Sequence, residues 1–558
     1  MPSDADEKRD APVPANTLEV SNLSVKLPEG ADREFAVEGA SLSIRPGETL
    51  CLVGESGSGK SVLAQSVMGM LPPQLRVHGG EIRFEGGALP PQRSKAFEKL
   101  RSRRIAMIFQ DASASLNPIQ RIGRQLEEIM LVHGVEGRGE RRRRAMELLD
   151  MVQLPEPERI YRSYPHQISG GQAQRIVIAG ALALGPALLI ADEPTTALDV
   201  TTQAEILRLV AELSATRNAA VLFITHDIGV VSEIADRIAV MCEGEIVETG
   251  TSRDVLTRPQ HPYTRRLLDA VPRPADGRER EETPPILKVE GISRTYRVKT
   301  GPFSHRDLEA LKDVSFSLGA GETLGVVGES GSGKSTLARC LLRLEEPDRG
   351  RIHFEGQDVT HAKGAIMRSL RSDLQIVLQD PYSALDPRQK VGSAIAEGPV
   401  IHGASARQAM TRVGELLDLV GLPQQAADRY PHEFSGGQRQ RICIARALAL
   451  NPKVLIADES VSALDVSIQA QILTLFQDIQ KAMGFAMIFI THDLMVAAAI
   501  CDNVLVMRHG KVVERGTARD VFRSPKEPYT KDLVAAVPGG LFTGTETERT
   551  GLALEEGR

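Results

Sequence analysis

The sequence predicts two tandem α/β domains, each with a mostly parallel core sheet, and three observations carry that prediction. The first is an internal repeat. ETLCLVGESGSGKS begins at Glu48 and ETLGVVGESGSGKS at Glu322, and 12 of their 14 positions are identical. Further along, the 32 residues from Ser169 to Val200 match those from Ser435 to Val466 at 23 positions. The offset between copies drifts only from 274 to 266, so one fold is duplicated with small changes in loop length. So long a period makes each copy a whole domain rather than a solenoid unit.

The second observation is the alternation of short apolar runs with longer helical patterns. Leu50 to Val53, Leu188 to Ala191 and Val221 to Ile224 read as strands buried on both faces. Their equivalents are Leu324 to Val327, Val454 to Ala457 and Met487 to Ile490. Continuous apolar strands separated by helices argue for a parallel sheet covered on both sides. The third observation is that each run stops at a polar motif. Ligands of such sheets sit at the carboxyl ends of the strands.

Composition narrows the class. The chain has 558 residues, of which 42% are hydrophobic and 25% charged, which is globular usage. Its 67 basic and 73 acidic side chains leave a net charge of −6, with no extended nucleic-acid-binding face. Five scattered cysteines (Cys51, Cys242, Cys340, Cys443, Cys501) form no CxxC pair. That argues against a disulfide framework and against zinc or iron–sulfur ligation, and fits a reducing cytoplasm. The longest uncharged apolar run, Ile176 to Ala191, has 16 residues and is broken by Gly185-Pro186, short of the roughly 20 a spanning helix needs. The polar N-terminus lacks the apolar core of a signal peptide. A soluble intracellular protein is expected.

Between the copies, RPADGREREETPP is charged, proline-bearing and without apolar periodicity, so 273–285 reads as a solvated linker. The expected organisation is a disordered tail over 1–17, domains over 18–272 and 286–538, and a polar tail over 539–558.

The motifs themselves point to nucleotide chemistry. Gly54, Glu55, Ser56, Gly57, Ser58, Gly59, Lys60 and Ser61 fit GxxxxGK[ST] between a predicted strand and a predicted helix. Gly328, Glu329, Ser330, Gly331, Ser332, Gly333, Lys334 and Ser335 repeat it. Backbone N–H groups of such a loop close around phosphates, and the helix N-terminus adds partial positive charge. Lys60 and Lys334 are expected to reach the β- and γ-phosphates of ATP, and the Ser61 and Ser335 hydroxyls to meet Mg²⁺. Each LIADE strand ends in paired carboxylates, Asp192-Glu193 and Asp458-Glu459. One carboxylate can serve the metal and its neighbour the attacking water.

Phosphate loop, SGGQ and DE strand in that order, twice, resemble the ABC-type ATPases, and the resemblance covers most of the chain. It implies two P-loop NTPase domains, each with an antiparallel and a helical subdomain beside the core sheet, stacked head to tail. One composite ATP site would join Lys60, Ser61, Asp192 and Glu193 to Ser435, Gly436, Gly437 and Gln438. The other would join Lys334, Ser335, Asp458 and Glu459 to Ser169, Gly170, Gly171 and Gln172. Gln110 and Gln379 match the glutamine that senses Mg²⁺ and the attacking water, and His226 and His492 match the switch histidine. Asp199 and Asp465 match the loop that couples the two sites. Tyr296 matches the aromatic that stacks on adenine, whereas the first domain has Leu27 at that position with Phe35 nearby. The second domain has Arg439 and Arg446 where the first has Ala173 and Gly180. No catalytic group is missing from either copy, so two hydrolytic sites are expected.

After each core comes a similar tail, RPQHPYTRRLLDAVP from Arg258 and SPKEPYTKDLVAAVP from Ser524. Physically each reads as a capping helix after a proline turn. The tails also resemble the C-terminal extension of dipeptide and oligopeptide importer ATPases, in the fused layout of glutathione and microcin C uptake systems. Some relatives carry an iron–sulfur cluster in this extension, but no cysteine falls there, so none is expected. The implied partners are two transmembrane permease subunits and an extracytoplasmic substrate-binding protein, with this chain peripheral on the cytoplasmic face of a bacterial inner membrane. The cargo never touches this chain, so its sequence does not name it; small peptides lead over nickel chelates and sugars. The alternative, a tandem ABC protein of ribosomes or DNA repair, fits poorly. The linker is not a long charged helix, zinc-binding cysteine clusters are absent, and the only basic run, Arg141 to Arg144, suits a solvated helix face.

Overall fold

In the computed structural model, which describes residues 16–195, 198–274, 284–299, 305–462 and 464–540, the apolar runs are strands of two six-stranded sheets. Most of the predicted tails and linker lie outside the described residues. The chain divides into two compact units that change over between Asp269 and Ala270.

In the first unit the core sheet runs in the order Glu245–Thr251, Arg237–Cys242, Thr49–Val53, Ala220–Thr225, Leu188–Asp192, Ile105–Ile108. The pairings are parallel except at the edge strand Glu245–Thr251. Every residue of Thr49–Val53, Leu188–Asp192 and Ala220–Thr225 is buried. That uniform burial is why their sequences do not alternate. Parallel strands share a direction, so Gly54, Phe109, Glu193 and His226 all emerge at one edge.

A second, antiparallel sheet orders Phe35–Ile44, Leu18–Lys26, Arg76–Phe84 and Gly87–Ala88. Here burial does alternate. Leu18, Val20, Leu23 and Val25 face a core shared with Leu50, Leu52, Ile190 and Leu222 of the parallel sheet. The helices Ile122–Val132, Arg138–Met151 and Gly170–Leu182 pack together as a third layer. The basic run lies on Arg138–Met151. Arg143 and Arg144 pair with Glu140, and Arg142 with Glu158. Arg141 instead turns inward, 2.7 Å from the Val135 carbonyl. The exposed pairs contribute little stability each.

The second unit repeats this architecture strand for strand, with Thr323–Val327 between Ala486–Thr491 and Asn503–Arg508 in the core sheet. Under its sheet, Phe476 and Phe489 meet edge to face with centroids 6.1 Å apart. Among the described residues no helix is long and apolar enough to cross a membrane. Both phenylalanines are wholly buried, so Phe489→Ala is expected to destabilise the second domain by about 3–5 kcal/mol. Chemical unfolding of the purified chain measures this, and a loss below about 1 kcal/mol would show that the pair is not part of a close-packed core.

Candidate nucleotide-binding sites

Each phosphate loop leaves a wholly buried strand and feeds directly into a helix, Lys60–Val67 or Lys334–Leu341. Gly59 caps the first helix with φ 105°, and a Cβ there would lie 2.3 Å from the Ala36 carbonyl oxygen. Gly333 repeats this with φ 108° and a 2.5 Å approach to the Ala310 carbonyl. Only glycine satisfies both the dihedral and the close approach. With the loop so curled, Lys60 Nζ donates to the carbonyls of Gly54 at 2.7 Å and Glu55 at 2.8 Å. Lys334 does the same with Gly328 and Glu329, at 2.7 and 2.9 Å. Burial lowers the Lys334 pKa, opposed by the charges of Glu459 and Asp458.

The carboxylates come to the loop because their strands run parallel to the strand that feeds it. Ser61 Oγ donates to Asp192 Oδ1 at 3.1 Å, across a sequence separation of 131 residues. Glu193 and Glu459 follow at φ 47° and 46°, the left-handed region, which costs a residue with a Cβ about 1 kcal/mol or more. The same outlier in both copies marks the turn that aims each carboxylate. Gln110 Nε2 donates to Glu193 Oε2 and Gln379 Nε2 to Glu459 Oε2, both at 2.9 Å. His226 Nδ1 lies 3.4 Å from the other oxygen, Glu193 Oε1, whereas His492 Nδ1 lies 3.5 Å from Glu459 Oε2, the oxygen that also accepts from Gln379. Glutamine, glutamate and histidine therefore form one connected set in each domain.

The paired carboxyls are driven apart electrostatically. Burial raises the Asp458 pKa, and repulsion from Glu459 adds to it, against Lys334 and Arg339. Burial also raises Asp192, with the Ser61 hydrogen bond opposing. Burial acts on Glu459 too, but the bond and charge of His492 together with Lys334 outweigh it, so its pKa is lowered. The neighbouring acids are thus shifted in opposite directions: the ionised form is favoured at Glu459 and opposed by burial at Asp458.

Asp458 Oδ1 is buried with no hydrogen-bond partner among the described residues. A buried carboxylate oxygen of this kind fits a bound cation. The donor set of hydroxyl, carboxylate and amide oxygen is the hard-oxygen chemistry of Mg²⁺, so Ser61, Asp192 and Gln110, and likewise Ser335, Asp458 and Gln379, suit it.

The SGGQ segments head the helices Gly170–Leu182 and Gly436–Leu448. Ser169 and Gln172 form a reciprocal cap: Gln172 N–H donates to Ser169 Oγ at 3.3 Å, and Ser169 N–H donates to Gln172 Oε1 at 3.2 Å. Ser435 and Gln438 repeat it at 3.4 and 3.0 Å. The glutamine amides are thus engaged in shaping the helix start, with Ser169, Gly170 and Ser435 exposed there and Gly437 buried. Asp199 and Asp465 immediately precede the helices Val200–Arg217 and Val466–Met483. The phenol of Tyr296 donates to Glu345, with the Arg294 guanidinium 5.3 Å from its ring centroid. In the first domain Leu27 is half-buried, and the Phe35 ring packs on His78 with centroids 5.5 Å apart.

Two contacts were not read from the sequence. The backbone N–H of Glu55 donates to Tyr263 Oη, and that of Glu329 to Tyr529 Oη. The matching HPYT and EPYT segments were the signal available.

A phosphate loop facing a serine–aspartate pair and a glutamate held by glutamine and histidine, on a parallel sheet, defines a nucleoside triphosphatase. Residues 37–196 and 311–462 each match the ABC transporter family, and residues 247–294 and 513–542 match the oligopeptide/dipeptide transporter C-terminal region. The chain is 45% identical over 562 residues to the glutathione import ATP-binding protein GsiA of Escherichia coli O157:H7, covering 94% of this chain and 90% of that one. It is 47% identical over 524 residues to the peptidoglycan transport ATP-binding protein YejF of Agrobacterium fabrum, covering 93% and 96%. The chain belongs to the ABC transporter family and is one of its import ATPases, with two fused ATP-binding domains.

The raised Asp458 pKa has a consequence for stability. A folded pKa above the unfolded value favours the fold at low pH, and that contribution is lost as pH rises through the folded pKa. At neutral pH the half-buried anion therefore opposes folding. Asp458→Asn is expected to stabilise the nucleotide-free chain by about 1 kcal/mol while removing the extra stabilisation that Mg²⁺ with ATP confers. Thermal unfolding at pH 7.5, with and without Mg-ATP, checks both, and a substitution that lowers nucleotide-free stability would contradict the electrostatic account.

Proposed function

We propose that both domains hydrolyse ATP and that the chain drives uptake of peptides or peptide-like solutes through two permease subunits served by an extracytoplasmic binding protein. The observation that carries the first half is the repetition of one bond pattern. Lysine on the loop carbonyls, glutamine on glutamate and histidine beside glutamate occur in both domains at nearly equal distances. The oligopeptide/dipeptide region in each half and the import roles named for the relatives support the second half.

Lys60 and Lys334 release their loop carbonyls and bind the terminal phosphates, with the loop N–H groups closing around the same oxygens. Glu193 and Glu459, ionised and aimed by their turns, take a proton from the attacking water. His226 and His492 stand beside the glutamate carboxylates, next to where the γ-phosphate departs. Gln110 and Gln379 hold the glutamates in place. Mg²⁺, when bound, neutralises charge on the β- and γ-phosphates. The serines and glycines at 169–171 and 435–437 serve the phosphate loop of the opposite domain. Asp199 and Asp465 couple the two sites.

Exposed apolar side chains flank the glutamine segments. Phe109 and Val132 are 36% and 75% exposed, and Leu378 and Ile401 are 39% and 67%. Such surface suits a protein partner, here the permeases, which would place the chain peripherally on the cytoplasmic face of the membrane. A ribosomal or DNA-repair role is not favoured, because the C-terminal region in each half belongs to transporters.

Glu193→Gln and Glu459→Gln are each expected to reduce ATP turnover of the assembled transporter by about 10²-fold or more, with ATP still bound. Steady-state phosphate release measures it, and wild-type turnover in either variant would overturn the proposal of two working sites. Purification of the tagged chain from membranes should recover two multi-span proteins. Recovery of ribosomes in their place would overturn the transport reading.

A further inference from the structure

The HPYT and EPYT segments reach the phosphate loops directly. Glu55 N–H donates to Tyr263 Oη at 3.0 Å, and Glu329 N–H donates to Tyr529 Oη at 3.3 Å. The carbonyls of the same two residues accept from Lys60 and Lys334, at 2.8 and 2.9 Å. Each of these residues is therefore gripped twice, through its carbonyl by the lysine ammonium and through its N–H by the tyrosine hydroxyl.

The tyrosines are themselves held firmly. Both are buried, on the helices Pro262–Asp269 and Pro528–Ala535. The turn entering each helix is pinned by a carboxylate of the preceding strand. Glu248 accepts the N–H groups of Gln260 and His261 at 2.8 and 3.0 Å. Glu514 accepts those of Lys526 and Glu527 at 2.8 and 3.2 Å. The Arg508 guanidinium covers the Tyr529 ring, 4.5 Å from its centroid. A path of direct bonds thus runs from the last strand of each core sheet, through glutamate, turn and tyrosine, to the phosphate loop.

We infer that Tyr263 and Tyr529 are positioning residues of the two nucleotide sites, which the C-terminal segment holds in their phosphate-binding shape. The inference rests on the reading of the phosphate loops as ATP sites. The lysine itself restrains the carbonyls of Gly54 and Glu55. Once that ammonium turns to phosphate, the carbonyl side of Glu55 loses its partner, and the tyrosine bond is what keeps the backbone there from rotating. A rotated peptide would point a carbonyl dipole at the phosphates instead of away from them, and would cost affinity. Loss of the hydroxyl should therefore weaken the nucleotide-bound state more than the empty one.

Tyrosine-to-phenylalanine changes remove only the hydroxyl and keep the buried ring. Tyr263→Phe is made in a Lys334→Ala chain and Tyr529→Phe in a Lys60→Ala chain, so that one intact loop is read at a time. Calorimetric titration with Mg-ADP is expected to show about 10-fold weaker binding, with the nucleotide-free melting temperature moving by less than about 2 °C. Glu248→Gln and Glu514→Gln, which slacken the turn, should weaken binding in the same direction by a smaller factor. Affinity within twofold of the parent overturns the inference, as does a lowered melting temperature with unchanged affinity. If the single Lys→Ala parents still bind two nucleotides, the phosphate-loop reading itself fails, and that result is distinct from the other two.

Discussion

Parallel pairing of three strands holds each catalytic assembly together. Ala220–Thr225 lies between Thr49–Val53 and Leu188–Asp192, all in one direction. Loop, carboxylates and histidine are carried by separate strands, and only backbone register aligns them. A slip of one residue moves a strand end by about 3.3 Å, more than the whole Ser61–Asp192 hydrogen bond. Both faces of these strands are buried, so side chains such as Leu52, Leu222 and Ile190 hold the register by close packing against the layers on either side. Core packing and catalytic geometry are therefore the same constraint seen from two sides, and the second domain obeys it with Thr323–Val327, Ala486–Thr491 and Val454–Asp458.

Within that frame each site concentrates charge and backbone strain. Lys60 and Lys334 bond to their own loop, Asp458 keeps a buried oxygen without a hydrogen-bond partner among the described residues, and Glu193 and Glu459 occupy a costly backbone region. A polyanion with its cation would give the lysines and Asp458 charged partners. Sites of this kind give up some stability for a structure already shaped to the ligand.

Much of this was legible in the sequence. The strands were visible because sheets covered on both faces leave unbroken apolar runs, and the observed strands Thr49–Val53, Leu188–Asp192 and Ala220–Thr225 exceed the predicted ones by a residue or two. The phosphate loops and carboxylates were visible because the chemistry permits few residue types. What stayed hidden depends on partners distant in the chain. Glu55 and Tyr263 are 208 residues apart, and no local pattern announces that bond. Ser-x-x-Gln is a local capping pattern, and its helix-shaping role was overlooked beside the nucleotide expectation. Differences between the copies also needed coordinates. Arg446 donates to the Ala384 carbonyl and Arg439 covers Tyr382 in the second domain, whereas Gly180 in the first lines an open cleft of about 500 Å³ with Leu126, Ile129 and Ile176.

The central claim is that duplication has preserved two complete, working ATP sites in one chain. The most direct measurement is the number of ATP molecules retained by the chain carrying both Glu193→Gln and Glu459→Gln, after rapid removal of free nucleotide. Two complete sites predict two ATP per chain, both unhydrolysed. One ATP per chain would show that one of the sites does not bind, and would contradict the account.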